Sequence, residues 1–97
     1  MKPSEQLDLH RATLRVLFKQ HKKLSDLRVF GSVATGTDTE QSDIDFLVRA
    51  DPKASLFDLG GLYSDLETLF GDNFDLLEES AIPEQYRSEI LAEAVPV

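Results

Sequence analysis

The segment Asp43-Ile44-Asp45-Phe46-Leu47-Val48-Arg49 constrains this chain more than any other. Successive side chains of a strand point to opposite faces, so Asp43 and Asp45 share one face while Ile44 and Phe46 share the other. The apolar face calls for a core. The acidic face carries two carboxylates roughly 6.5–7 Å apart along the chain. Two such groups repel each other, which costs stability unless a cation neutralises them. A pair of this kind grips hard divalent ions, Mg2+ in particular, with phosphate oxygens completing the octahedron. Taken alone, Asp-x-Asp is more often a solvated edge strand.

What lies upstream changes that balance. Leu27-Arg28-Val29-Phe30 reads as a short strand, and it stops at Gly31-Ser32, with ten residues between Ser32 and Asp43. Glycine lets a backbone approach a phosphate closely. The N–H groups of such a turn form an anion nest, and the Ser32 hydroxyl adds a donor. The alternative is that Ser32 only caps a short helical turn. Strand end, phosphate-holding turn, polar loop and metal-holding strand together make a triphosphate site in which two ions stabilise the attacking and leaving oxygens of an in-line displacement.

The chain has 97 residues, enough for one domain, taken as residues 1–97, and too few for two. A core of this size is modest, so an active site is expected as an open cleft that a partner completes. With 41% apolar and 29% charged residues the composition is globular. Cysteine is absent, which excludes disulfides and thiolate metal sites and fits a reducing compartment. No apolar run approaches the roughly 18 residues of a membrane span, so the expectation is a soluble, cytoplasmic protein. The net charge of −8 argues against general nucleic-acid binding. Residues 1–28 nevertheless hold seven of the ten basic side chains, among them Arg11, Arg15 and Lys19 at helical spacing, with Lys22 and Lys23 beyond.

The expected elements are a helix from Ser4, as N-cap, to Lys22; a strand Leu27–Phe30; a loop over 34–41; a strand Asp43–Arg49; a helix from Ser55 to Phe70, stopped by Gly71; a strand Asn73–Glu78; and a helix from Pro83 to Ala94. That order, α-β-β-α-β-α, implies an α+β (mixed α/β) fold, a small mixed sheet with flanking helices.

The run from Phe30 through Gly31-Ser32 and Ser42-Asp43-Ile44-Asp45 to Val48 closely resembles the signature of the minimal nucleotidyltransferase (MNT) branch of the polymerase-beta-like superfamily: Gly-Ser, ten residues, Asp-x-Asp, then aliphatics. The resemblance extends to the leading helix, the third strand and the tail Ile90 to Pro96. It implies a third carboxylate in a later strand, which Asp75 in Phe74-Asp75-Leu76-Leu77 matches best, with Glu78 as competitor on the opposite face. It implies that Asp43, Asp45 and Asp75 are the catalytic and metal-holding residues, that Gly31 and Ser32 contact the nucleotide, and that ATP and Mg2+, as a pair of ions, are used. It further implies a HEPN-domain RNase toxin as partner, modified by AMP on a tyrosine and held in a hetero-oligomer, with no direct contact to nucleic acid or membrane. The departure is Thr35, where many relatives carry arginine.

Beside this reading stand plainer ones. The basic ridge of the first helix is either a solvated face or a docking surface for an acidic partner. His10 and His21 lack metal-ligand spacing and read as surface residues. Tyr63 reads as core or interface, and Glu78, Glu79, Glu84, Glu89 and Glu93 as solvated. An antitoxin that neutralises its toxin by covering it, with weak or no catalysis, is the alternative function. A small-molecule nucleotidyltransferase is the third, disfavoured because no room remains for an acceptor domain.

Overall fold

The structure is a computed structural model that describes all residues, 1–97. Helix α1 (Pro3–Phe18) leads into strand β1 (Leu24–Phe30), which runs directly into a one-turn helix α2 (Gly31–Thr35). Strand β2 (Ile44–Ala50), helix α3 (Leu56–Phe70) and strand β3 (Phe74–Glu78) follow, then a 3-10 turn (Glu79–Ala81), helix α4 (Glu84–Glu93) and a two-residue strand β4 (Val95–Pro96). The strands form one sheet in the order β3-β2-β1-β4. β1 is antiparallel to β2 and β4, and β2 is parallel to β3, the pairing that the α3 crossover between them provides.

The alternation in β2 works as its sequence dictates. Ile44, Phe46 and Val48 are fully buried and join Leu7, Leu14, Leu62, Leu66, Phe70, Val29 and Phe74 in the main core, between the sheet and the α1/α3 layer. Leu47 points the other way and is also fully buried. It and Ile82 are buried outside that core, on the face that carries the acids.

Several ends differ from the sequence expectation, each for a local reason. α1 starts at Pro3 with Lys2 at the cap position. Ser4 lies inside the helix, and its N–H is satisfied by Asp38 Oδ2 at 2.9 Å from a distant loop. α1 stops at Phe18, where turn hydrogen bonds from Gln20 to Leu17 and from His21 to Phe18 tighten the chain. β1 begins at Leu24 because a bulge between Ser25 and Arg28, with Asp26 at φ 52°, hides the register from a simple alternation count. Ser55, expected as the start of α3, is its cap: Ser55 Oγ accepts from Phe57 N at 3.2 Å, and Asp58 Oδ2 accepts from Ser55 N at 2.7 Å, a capping box. Pro83 is the cap of α4 rather than its first residue.

Gly61 in mid-α3 also has a reason. A Cβ there would lie 3.1 Å from His21 Cε1, and His21 Nε2 meets Asp65 Oδ2 at 2.6 Å. His21 is thus an inter-element clamp rather than a free surface residue. His10, half-buried, stacks edge-on to Phe70.

Candidate active site

Asp45 sits opposite Phe30 on β1 and opposite Asp75 on β3. Paired residues on neighbouring strands share a face and stand about 5 Å apart, so the Asp45 and Asp75 carboxylates are neighbours. Asp43 lies just ahead of β2, on the same side by alternation. Asp43 and Asp75 are exposed, and Asp45 is half-buried. No ion pair of the chain reaches any of the three.

Gly31 closes β1 against this group. Its φ is +70°, and a Cβ would stand 2.2 Å from Asp45 Oδ2. Both the backbone conformation and the space therefore require glycine. α2 starts at this residue, its cap Phe30 provides no side-chain acceptor, and half-buried Ser32 lies in its only turn. The Gly31 N–H instead donates to Glu93 Oε1 at 2.7 Å, from the last turn of α4. Glu93 is thus not a solvated acid.

The Asp45 carboxyl is pushed above its ordinary range, first by burial, then by the charges of Asp75, Asp43 and Glu93. All four causes disfavour the ionised form. A carboxylate surrounded by like charges, with no cation of its own, calls for one from outside the chain.

Residues 11–97 match the nucleotidyltransferase domain family. This chain belongs to that family. A Methanocaldococcus jannaschii protein described as a putative protein adenylyltransferase is 36% identical over 90 residues, covering 93% of this chain and 95% of the relative. Among solved structures, one described as a putative minimal nucleotidyltransferase is 35% identical, covers 97% of this chain and 95% of its own, and superposes with a TM-score of 0.81. A toxin–antitoxin structure with AMP-PNP shares the fold at a TM-score of 0.68 and 21% identity, covering 90% of this chain and 70% of its own. A nucleotidyltransferase-like protein of Sulfolobus solfataricus does so at 0.55 and 21%, covering 95% and 78%. The chain is a minimal nucleotidyltransferase in sequence and in fold.

In this minimal nucleotidyltransferase no three His, Cys, Asp or Glu side chains converge into a cage that would hold a metal ion by itself. Mg2+ needs no such cage. It keeps several waters and binds through one or two carboxylates plus substrate phosphates. The strand-paired Asp45 and Asp75, with Asp43 beside them, could offer donors of that kind, and the raised Asp45 carboxyl is what an arriving cation would relieve.

The segment between Gly31 and Asp43 is ordered from within and without. Thr35 Oγ1 bonds back to Gly31 O at 3.2 Å and meets Thr37 Oγ1 at 3.0 Å, so Thr35 serves the turn itself. Asp38 anchors the loop to α1, and its carboxyl is lowered by the hydrogen bond from the Ser4 backbone.

The remaining acids and bases are mostly engaged. Arg11 pairs with Asp8 at 2.8 Å. Arg15 grips the Val97 carbonyl oxygen through Nε at 3.0 Å and Nη2 at 2.6 Å. The expected basic ridge is therefore partly spent inside the fold. Glu78 caps the 3-10 turn through Ser80 N. Glu79 binds Arg28 at 2.5 Å. Tyr63 lies over Phe74, ring centroids 4.9 Å apart, and stays half-exposed.

None of the concavities borders Asp43, Asp45 or Asp75. One of them, about 350 Å3 and largely apolar, is lined by Leu59, Tyr63, Leu76 and Leu77 at the free edge of β3. The acidic face itself is open.

Proposed function

We propose that this chain moves AMP from ATP onto a hydroxyl of a partner protein, a tyrosine of a HEPN-type RNase toxin, and so acts as a cytoplasmic antitoxin. The observation that carries the reading is Asp45: strand-paired with Asp75, flanked by Asp43, set against the Gly31 turn, and without a cation from its own chain. In this reading Asp43 and Asp45, with Asp75, hold Mg2+, as a pair of ions, together with the triphosphate. Bound there, the metal neutralises charge on the attacking and leaving oxygens. Ser32 and the turn that begins at Gly31 hold the phosphates.

The acceptor hydroxyl oxygen bonds to the α-phosphorus as the bond from that phosphorus to the bridging oxygen of pyrophosphate breaks. The hydroxyl proton passes to Asp75, which is exposed and able to receive it. Pyrophosphate leaves, and AMP remains on the protein. The openness of the acidic face supports a macromolecular acceptor, which brings its own walls where a small acceptor would need a pocket.

The test is neutralisation in cells. The Asp43→Asn/Asp45→Asn protein is expected to lose protection against the co-expressed toxin while still co-purifying with it. Full protection by that variant would contradict the enzyme reading and favour neutralisation by cover alone, to which the loss of arginine at position 35 would then belong.

A further inference from the structure

We infer that Glu93 is a positioning residue for the nucleotide turn, bracing Gly31 from the side of β1 that faces away from Asp43, Asp45 and Asp75. The inference rests on the nucleotide-binding role proposed for Gly31 and Ser32.

The register fixes the geometry. β1 and β4 pair Arg28 with Pro96 and Val29 with Val95, and Val97 N donates to Leu27 O at 3.1 Å. Two further steps in that register set Glu93 opposite Gly31. The chain is helical at Glu93, so its backbone no longer continues the ladder. Its carboxylate takes over, accepting the Gly31 N–H at 2.7 Å. β1 lies between β2 and β4, so an amide aimed at the β4 side points away from the carboxylates of β2 and β3. A phosphate lying over Asp45 is therefore met by Ser32 and the amides after it, and Gly31 is the fixed end from which they hang.

The turn needs such a fixed end. α2 has five residues and no side-chain cap, too short to be stable by itself. Gly31 holds a left-handed φ that glycine takes without strain but shares with many other conformations, so its surroundings must select it. They do so from two sides: Asp45 Oδ2 fills the place of its Cβ, and Glu93 holds its N–H. The brace also brings a fourth negative charge toward Asp45. A residue whose only task was to fasten α4 would do so at lower cost as a neutral acceptor.

The test compares Glu93→Ala and Glu93→Gln with wild type by titration calorimetry with AMP-PNP and Mg2+, alongside melting curves. Glu93→Ala is expected to weaken nucleotide binding about tenfold, the size of one hydrogen bond to a charged group. Glu93→Gln, which keeps an acceptor, should recover all but about twofold. Wild-type affinity in Glu93→Ala, even with a lowered Tm, would reduce Glu93 to a structural fastener and overturn the inference. So would tighter binding, which would make Glu93 a competitor for the phosphate. Failure of wild type itself to bind AMP-PNP would instead overturn the nucleotide site, and this inference with it.

Discussion

The acid-bearing face of the sheet carries two regions a few residues apart that treat carboxylates in opposite ways. Around Glu79 the chain provides the cations itself. Arg28 Nη2 stands 2.5 Å from Glu79 Oε2, Arg49 Nε 3.4 Å from the same atom, and Arg49 Nη1 3.1 Å from Asp26. Burial pulls the Glu79 carboxyl up, yet the hydrogen bonds and charges of Arg49 and then Arg28 prevail and hold it below its usual range. Two residues further along β1, at Phe30, the strand faces Asp45. There burial is joined by Asp75, Asp43 and Glu93, and the carboxyl is pushed up. The same sheet, with the same resources, neutralises one acid with arginine and surrounds another with acids. Structure alone explains the first. The second costs stability and has a use only if a cation arrives from solution with its substrate.

The largest break in this contrast should come from Asp45→Asn. Nucleotidyl transfer is expected to fall about a thousandfold, as for loss of a group acting on transition-state charge. The same change should raise Tm by a few degrees, the effect of about 0.5 kcal/mol after allowance for solvent screening. Activity lost together with stability would show a misfolded variant instead. Arg28→Ala should do the reverse in the other region. Glu79 would keep only the longer Arg49 contact, and urea unfolding should show a loss of about 2–3 kcal/mol. The loss is limited because the Arg28 Nε is already buried without a partner.

Metal ions should separate the regions next. Mg2+ at ten times its dissociation constant is expected to stabilise wild type by about 1.4 kcal/mol. Asp45→Asn should show little of this gain, and Glu79→Gln all of it. Acidity gives the smallest effect. The folded value of Asp45 lies above its ordinary 3.8, so the folded chain binds more protons in that window and stability at this group falls as pH rises through it. Glu79 lies below its ordinary 4.5, so its contribution is present above 4.5 and is lost as pH falls through the folded value. On acidification wild type should regain at Asp45 part of what it loses at Glu79. Urea midpoints of Asp45→Asn should therefore fall more steeply, and its advantage over wild type should shrink.

The placement of the proposed site on the fold was legible because it is local. Asp43-Ile44-Asp45 at strand period, Gly31-Ser32 at the turn and Asp75 between hydrophobics each declare an orientation from their immediate neighbours. What escaped was set by partners distant in sequence. Glu93 read as solvated because its acceptor role depends on β4, a two-residue strand too short to show a period, lying opposite β1. Asp38 gave no sign of capping α1, since the Ser4 N–H it satisfies is 34 residues away. His21 read as a surface residue because its contacts with Gly61 and Asp65 join segments distant in sequence. The bulge at Asp26 shortened the apparent first strand. The Arg15 contact with Val97 turned part of an apparent docking ridge into an internal clasp.

The central claim is that the uncompensated carboxylates at Asp43, Asp45 and Asp75 serve transfer of AMP to a protein. Intact-mass spectrometry of the proposed HEPN-type partner, purified and incubated with this chain, ATP and Mg2+, tests it most directly, with the Asp43→Asn/Asp45→Asn protein as control. The account predicts a gain of one or more AMP units on the partner with wild type and none with the control. An unmodified partner in a stable complex with the wild-type chain would contradict it.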